Sequence, residues 1–334
     1  MKNTQITMIA VLSTVLILLL TFTFLLGNPA SAPTIDEDRP ILSNPDSTTH
    51  TTAATTVPTE PDPTWTSIPA DRTITAAQAF VYDCAAEEFI HLIGQPTDKV
   101  YPASITKLFT AYTALQYLPG ASEITVGDEL DMVGYGSSVA DLQKGDVLTV
   151  DQLIEGMMLP SGNDASYILA VAAGRVIAGE NISPSAASNV FMRKMNELVK
   201  SHSMNGTNFT NPDGYHADKH YTTMEDLVRL ATLALNTPSI LRYTTVAADT
   251  ITLNDRELQW HNTNALIDPE SPYYCPIALG LKTGQTPRAG SCLLSAFDLD
   301  GRTVIIGVFG CPEEEDRFAD TLQLLQLAME PAEQ

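Results

Sequence analysis

The 334-residue chain has few basic residues, few cysteines and little tryptophan. Its 18 lysine and arginine residues stand against 40 aspartate and glutamate residues, which gives a formal net charge of −22. Binding to nucleic acid requires a basic face, so this charge argues against a nucleic-acid partner. The acidic surplus favours a soluble surface but says little about the fold.

The four cysteines and six histidines are too few and too unevenly spaced to predict a metal site. The sequence has no C-x-x-C pair, and its histidines fit no spacing such as H-E-x-x-H. A disulfide could form if the chain is exported to an oxidising compartment, although the sequence fixes no pair. The simpler interpretation is that Cys84, Cys275, Cys292 and Cys311 are small buried apolar side chains.

An uncharged apolar run covers 6–26 and follows Lys2. The run is long enough to span a bilayer and longer than an ordinary signal-peptide core, whereas Ala30-Ser31-Ala32 looks like a cleavage site. Residues 1–27 are therefore predicted to be a membrane anchor or a signal peptide, and length favours the anchor. Lys2 favours a cytoplasmic N-terminus, with the remainder exported to the cell membrane or secreted.

Residues 28–72 are rich in threonine, serine, proline and aspartate. A segment of this composition buries too little apolar surface to fold, so we predict a disordered linker. Residues 73–330 then form one folded domain. β-like runs lie at both of its ends, at 79–84, 88–93, 278–283, 291–297 and 303–309. Helical patterns lie mainly between them, which predicts an α+β fold with one antiparallel sheet, formed from both ends of the domain, beside a helical lobe.

Ser104 and Lys107 lie three residues apart where a helical pattern begins, so their side chains face the same way. A lysine kept neutral by burial and by the helix dipole can take the proton of the serine and make it a nucleophile. The S-x-x-K pattern occurs by chance about once in a chain of this length, so other motifs must support this interpretation.

Two further motifs supply polar groups. Ser161-Gly162-Asn163 interrupts the chain between two apolar helices and presents a hydroxyl and an amide, although ordinary turn chemistry favours the same residues. Lys282-Thr283-Gly284 ends a buried apolar run and suits an anion. A flat strand places Lys282 and Thr283 on opposite faces, so both border one site only at a sheet edge, where a peptide can add as an extra strand. The alternative is a solvated strand end.

The motif order S-x-x-K, S-x-N, K-T-G is similar to that of class A β-lactamases and penicillin-binding proteins. Segments 211–214, 220–223, 280–286 and 289–292 also resemble landmarks of the low-molecular-mass penicillin-binding proteins of the serine D-Ala-D-Ala carboxypeptidase type. The resemblance covers roughly residues 73–329 and implies the β-lactamase/DD-peptidase-like fold. It also implies two partners, a peptidoglycan stem peptide ending in D-Ala-D-Ala and β-lactam antibiotics.

The resemblance implies a role for each motif residue. Ser104 would attack the carbonyl between the two terminal D-alanines, and Lys107 would take its proton. Ser161 would relay a proton to the leaving D-alanine. Asn163 would hold Lys107 and the substrate amide.

The third motif and the residue after it would bind and polarise the substrate. Lys282 and Thr283 would hold the terminal carboxylate, with Gly284 allowing close approach, and the backbone N–H groups of Ser104 and Gln285 would form an oxyanion hole. Water would then hydrolyse the acyl-enzyme, whereas a penicillin would acylate the serine and stay. The resemblance requires no metal and no organic cofactor.

Other functions are open to different degrees. A non-hydrolytic penicillin-sensing or wall-binding module shares the fold. A β-lactamase is disfavoured because the E-x-x-L-N segment is not found, and a Ser-His-Asp hydrolase because no G-x-S-x-G appears. His216 and His220 are expected to be loop or capping residues. Gln285 departs from the residues common at this position in the family, which leaves substrate preference open. The sequence also does not decide between carboxypeptidase and endopeptidase activity, between a vegetative and a sporulation role, or among oligomeric states. The chain shows no C-terminal β-domain or amphipathic helix of the kind some members carry, which favours retention of the N-terminal anchor.

Overall fold

The computed structural model describes residues 73–329. The predicted anchor or signal peptide at 1–27 and the predicted linker at 28–72 lie outside the described residues. Within 73–329, no helix is both long and apolar enough to cross a bilayer.

The described chain alternates short strands with helices in an order that keeps β-structure at both ends. The strands are β1 (Gln78–Asp83), β2 (Glu88–Ile93), β3 (Lys99–Val100), β4 (Glu123–Thr125), β5 (Val147–Thr149), β6 (Thr222–Thr223), β7 (Ala248–Leu253), β8 (Arg256–His261), β9 (Ala278–Thr286), β10 (Gly290–Leu299) and β11 (Arg302–Cys311). The α-helices are α1 (Thr106–Leu115), α2 (Val150–Met158), α3 (Asn163–Ala178), α4 (Pro184–Ser201), α5 (Met224–Leu235), α6 (Pro238–Thr244) and α7 (Asp316–Met329).

The main sheet has five antiparallel strands in the order β2-β1-β11-β10-β9. The first strand of the domain pairs with the last, with Gln78 opposite Phe309 and Asp83 opposite Val304. The predicted sheet built from both ends of the domain is thus confirmed. Strand β9, which carries Lys282 and Thr283, lies at one edge of the sheet, which meets the condition for both residues to border one site.

Both faces of the sheet are covered, and successive strand residues serve different cores. Ile305 belongs to the core under the helical lobe, whereas Ile306 packs into a second core beneath α7, together with Phe318 and Leu322. A strand buried on both faces has an almost continuous apolar sequence, which explains the run of β11. Helices α5 and α7 bury apolar residues against the sheet, whereas α3 packs mainly on α4 and α2 within the helical lobe.

Local side-chain contacts fix the starts of two helices. Thr149 and Gln152 form a capping box at the start of α2, and Thr223 caps α5 by accepting a hydrogen bond from the backbone N–H of Asp226. Helix α1, which carries Lys107, ends at Leu115. All four cysteines are free thiols, and every one except the partly exposed Cys84 is buried.

The hairpin of β7 and β8 and the short helix α6 were not predicted. The hairpin turns at Asn254 and Asp255, which have φ of 50° and 63°. Two consecutive left-handed residues make the tight turn that suits a two-residue hairpin loop, and asparagine and aspartate tolerate it best after glycine. That pair was a usable signal. The hairpin leads the chain to Thr263, which contacts the site described next.

Candidate active site

The nucleophile candidate lies in a strained turn. Ser104 is the central residue of a 3-10 turn, Ala103–Ile105, that runs directly into α1. Ala103 has a φ of +47°, a left-handed value that is unfavourable for a residue with a side chain. Such strain persists where surrounding contacts fix the backbone, and it is concentrated at functional sites. The turn directs Ser104 into a cleft and places Lys107 behind it.

Lys107 is fully buried and surrounded by oxygen atoms. Its Nζ atom lies 2.7 Å from Ser104 Oγ and 2.7 Å from Asn163 Oδ1, and it donates to the carbonyl of Asp213 at 2.9 Å. Ser161 Oγ is farther away, at 3.5 Å. An ammonium has three donors, so the first three contacts satisfy it and the Ser161 contact is the long fourth.

Burial lowers the pKa of Lys107 to about 8, against the opposing effect of the Asp213 and Asp164 charges. A lysine with this pKa exchanges its proton near neutral pH, as a general base must. The predicted neighbour Lys282 is also fully buried. Burial and then the charge of Lys107 lower the pKa of Lys282 well below its usual range. The positive charge of Lys107 therefore disfavours the ammonium form of Lys282, whose pKa is lowered.

The second motif is held in the loop between α2 and α3. Ser161 has a φ of +61°, and a Cβ atom at Gly162 would lie 2.6 Å from the carbonyl oxygen of Gly156, so only glycine fits there. Asn163 opens α3 and donates its backbone N–H to Ser138 O at 2.9 Å. This loop is therefore fixed at both ends, and its amide oxygen faces Lys107.

The third motif lies along the edge strand. Lys282 Nζ is 3.3 Å from Thr263 Oγ1 and 3.4 Å from Thr283 Oγ1, and the two threonine hydroxyls are 2.5 Å apart. Strand β9 passes close to the nucleophile turn, because a Cβ at Gly284 would lie 3.2 Å from the backbone nitrogen of Ser104. The strand therefore brings the Lys282 amine and the Thr283 hydroxyl together, and the segment after β8 adds the Thr263 hydroxyl.

These three segments border a cavity of about 500 Å³. Ser104, Asn163 and Gln285 line it, and two exposed tyrosines, Tyr135 and Tyr215, stand at its rim. The other predicted residues do not line this cavity. Lys107 is buried directly behind Ser104. Ser161, Lys282 and Thr283 are buried as well, and Lys282 is near enough for the charge of Lys107 to act on it. Among residues 73–329, no group of three or more histidine, cysteine or acidic side chains is arranged to hold a metal ion.

The arrangement has counterparts among known proteins. The model of the Peptidase S11 family, described as D-alanyl-D-alanine carboxypeptidase, matches residues 64–313. The chain belongs to this family.

Named members of the D-alanyl-D-alanine carboxypeptidase family show how far the similarity extends. The carboxypeptidase DacF of Bacillus subtilis is 29% identical over 236 residues, which cover 69% of this chain and 56% of that protein. A D-alanyl-D-alanine carboxypeptidase of Streptomyces sp. strain K15 is 31% identical over 232 residues, or 66% of this chain and 76% of that protein. The match therefore spans little more than half the length of the Bacillus relative.

A solved structure shares the fold. The crystal structure titled Streptomyces K15 DD-transpeptidase superposes with a TM-score of 0.69 at 28% identity, over 76% of this chain and 97% of that chain. The predicted family and the predicted DD-peptidase-like α+β fold are therefore confirmed.

Sequence reasoning did not select several residues of this site. Asp213 lies in the landmark segment 211–214 and has no role predicted from the sequence, yet its carbonyl binds Lys107. Thr263 carries no motif, and only the tertiary structure places it beside Lys282. Arg317 of α7 is buried and reaches the carbonyl of Gly284 at 3.5 Å. A buried arginine cannot be recognised from a sequence in which most arginines are exposed.

His220 lies in a loop, as predicted, but its ring is buried and fully used. Thr210 donates its backbone N–H to Nδ1 at 3.1 Å, so Nε2 carries the proton and donates to Thr106 Oγ1 at 2.8 Å. The Thr106 hydroxyl in turn donates to the carbonyl of Ala103 at 2.8 Å. The histidine therefore supports the strained turn that carries Ser104.

Proposed function

We propose that the protein is a serine D-Ala-D-Ala carboxypeptidase, which removes the terminal D-alanine from peptidoglycan stem peptides through an acyl-enzyme and is inhibited by penicillins. The observation that carries this proposal is the chain of contacts from Ser104 Oγ to Lys107 Nζ and on to Asn163 Oδ1, each 2.7 Å long, beside an open cleft. Family membership and the names of the relatives support it.

Acylation follows from this geometry. Ser104 Oγ attacks the carbonyl carbon of the scissile bond while its proton moves to the neutral amine of Lys107. The carbon–nitrogen bond then breaks, and the proton passes from Lys107 through the Ser161 hydroxyl to the departing amine of D-alanine. Backbone N–H groups of Ser104 and Gln285 stabilise the oxyanion, which is often the largest single contribution to catalysis.

The edge strand selects a substrate with a free carboxylate. Lys282 is desolvated, and it lies beside a second lysine, so its ammonium form is poorly compensated before substrate binds. A carboxylate bound by Lys282 and Thr283 supplies the missing negative charge and favours the ammonium. Substrate binding and protonation of Lys282 therefore reinforce each other, which favours C-terminal peptides over internal bonds.

The acyl-enzyme can be released by water or by an amine. Water gives carboxypeptidase activity, and an acceptor amine gives a new peptide bond. The second outcome is a candidate because the similar Streptomyces structure is titled a DD-transpeptidase. Supplying an acceptor amine with the donor peptide and separating the products by mass spectrometry distinguishes hydrolysis from transfer.

We also propose that residues 1–27 anchor or export the chain, that 28–72 form a tether, and that the catalytic domain, 73–330, lies outside the cytoplasmic membrane. The apolar length of 6–26 supports this placement. Cell fractionation with N-terminal sequencing tests it. Retention of residue 1 in the membrane fraction identifies an anchor, and a mature chain beginning near residue 33 identifies a signal peptide.

The first prediction tests the nucleophile. The full chain should release D-alanine from a peptide ending in D-Ala-D-Ala and gain the mass of one penicillin, and Ser104→Ala should lose both activities. Ser203→Ala is the matched control, because Ser203 belongs to a second S-x-N sequence just beyond α4. It should behave as the wild type.

Three other results would contradict the proposed nucleophile or the proposed function. A penicillin adduct on Ser104→Ala would show that the nucleophile is misassigned. Stable acylation of the wild type without turnover of any peptide would identify a penicillin-sensing module. Rapid hydrolysis of the penicillin itself would identify a β-lactamase.

A further inference from the structure

The turn at 211–214 is fastened to the helix that carries the candidate base. The carbonyl of Asp213 accepts a hydrogen bond from Lys107 Nζ at 2.9 Å. One residue earlier, the carbonyl of Pro212 accepts from Thr110 Oγ1 at 2.7 Å. One residue later, Gly214 packs on the backbone of Ala103, since a Cβ there would lie 1.9 Å from the Ala103 carbonyl oxygen. The position of Asp213 relative to Lys107 is therefore fixed by three successive contacts.

The side chain of Asp213 is buried with one oxygen unpaired. The residue is 1% exposed, and Oδ1 accepts the backbone N–H of Tyr215 at 3.1 Å. Among the described residues, Oδ2 has no hydrogen-bond donor. An unpaired buried carboxylate oxygen is costly, so a turn selected only for its shape would favour asparagine or serine here. The needs of the turn alone therefore do not explain an aspartate at this position.

The charged groups around Lys107 come from three elements. Asp213 and Asp164 carry negative charge towards it, and Lys282 approaches from the edge strand. The surroundings of the Asp164 carboxylate differ from those of Asp213. Its carboxylate accepts backbone N–H groups from Ala140 at 2.9 Å and Leu142 at 3.2 Å, so backbone dipoles stabilise its charge. Asp213 has one such bond, and the positive charge of Lys107, whose amine contacts the Asp213 carbonyl, acts to lower the pKa of its carboxyl.

We propose that Asp213 is a positioning residue that tunes the candidate base: its buried side chain, held near Lys107 by the carbonyl contact, acts through its charge on the Lys107 amine and sets the pH range in which Ser104 is acylated. This inference rests on the proposed function, because it takes Lys107 as the group that accepts the serine proton. The physical reason is that a base works best when its proton affinity matches the operating pH. Burial alone makes Lys107 a weak base, and the adjacent carboxylate restores part of its proton affinity.

Two coupled groups titrate as a pair, and the removal of one changes the titration of the other. Burial raises the pKa of Asp213, and the charge of Lys107 opposes that rise. Each group thus stabilises the charged form of the other. Asp213→Asn is nearly isosteric, keeps one oxygen as the acceptor for Tyr215 N–H and removes the charge.

The test is the pH profile of the second-order rate of acylation of the full chain by a fluorescent penicillin. For the wild type, the rate should rise with pH to a plateau with a midpoint near 8, the pKa of Lys107. In Asp213→Asn the midpoint should fall, since removing a nearby opposite charge usually shifts the pKa of a titrating group by roughly one to three units. The plateau rate should also fall, because the base is weaker. Asp218→Asn, an exposed carboxylate in the same loop, is the matched control and should leave the midpoint unchanged.

A midpoint that stays in place in folded Asp213→Asn overturns the inference, whatever happens to the rate. A wild type that no penicillin labels at any pH overturns the proposed function instead. If Asp213→Asn does not fold, Asp213→Ser gives the same reading. Carbon-13 NMR titration of the wild type provides an independent test. The chemical shifts of Lys107 Cε and of the Asp213 carboxyl should change with the same midpoints, and unrelated midpoints would contradict the coupling of the two groups.

Discussion

Lys107 shows how burial turns a common side chain into a base. The S-x-x-K spacing places its amine beside Ser104, but spacing alone leaves it an ordinary cation. Its pKa of about 8 comes first from burial, which tertiary packing provides. The oxygens of Asn163 and Asp213 then hold the amine in place. The motif therefore predicts the two reacting groups, and the fold makes their reaction possible.

His220 should make the protein sensitive to acid. Burial lowers the pKa of its ring to about 3. Between about pH 6.5 and pH 3 the ring is therefore protonated in the unfolded state but stays neutral in the folded state. The neutral ring therefore contributes stability that is fully present above pH 6.5 and is lost as the pH falls towards 3. The expected loss is about 1.4 kcal/mol of unfolding free energy per pH unit within that window.

The measurement compares urea unfolding of the wild type and His220→Gln at several pH values between 4 and 8, a window taken from these two pKa values. Glutamine does not titrate, and its amide can still donate to Thr106. The difference in unfolding free energy between the two proteins should narrow as the pH falls. Parallel pH profiles would show that the ring does not titrate as its burial requires.

The helix and hairpin boundaries follow from local chemistry, and their arrangement does not. Thr149 with Gln152 and Thr223 with Asp226 fix helix starts within four residues of sequence. The edge position of β9 depends instead on β1 pairing with β11, which joins the two ends of the domain. The sequence shows only that Lys282 and Thr283 can border one site if their strand lies at a sheet edge. The long-range pairing of the strands places β9 at that edge.

The contact between the 211–214 turn and the nucleophile turn should be intolerant of a methyl group. Gly214 has a φ of +82°, and a Cβ would lie 1.9 Å from the Ala103 carbonyl oxygen. Gly214→Ala should therefore displace the turn that carries Ser104 and lower the acylation rate by about 100-fold or more, as small misplacements at a reacting centre do.

Gly179→Ala is the matched control for this prediction. Gly179 ends α3 with a φ of +72° and has open space around it, so alanine there costs about 1 kcal/mol of backbone strain without a clash. That variant should keep the wild-type acylation rate. Equal rates for the two variants would mean that the clash at Ala103 is relieved without moving Ser104.

The domain is closed by a carboxylate that joins its two ends. Asp320 of α7 is fully buried, and its Oδ2 accepts the backbone N–H of Thr75 at 2.9 Å, the Thr75 hydroxyl at 3.0 Å and the backbone N–H of Ala76 at 2.8 Å. These residues are 244 or 245 positions apart in the chain. One side chain therefore stabilises the join between the first and last parts of the fold.

Asp320→Asn should lower the free energy of unfolding by about 3 kcal/mol, because it weakens charge-assisted bonds and leaves buried donors poorly paired. Far-UV circular dichroism and penicillin labelling should be lost in one urea transition, since the main sheet contains both ends of the domain. Two separate transitions would show that the helical lobe unfolds independently. Asp218→Asn, at the surface, should leave the transition unchanged.

The sequence by itself determined the order of the three motifs, the apolar runs and the caps, because each depends on residues close together in the chain. It also determined the family, since motif order and landmark segments are read directly. The tertiary structure decided which groups meet. Asn163 and Asp213 reach Lys107 across 56 and 106 residues, and Thr263 reaches Thr283 only through a hairpin without a motif. The burial that sets the pKa of Lys107 belongs to no local pattern, because it is produced by packing of the whole helical lobe against the sheet.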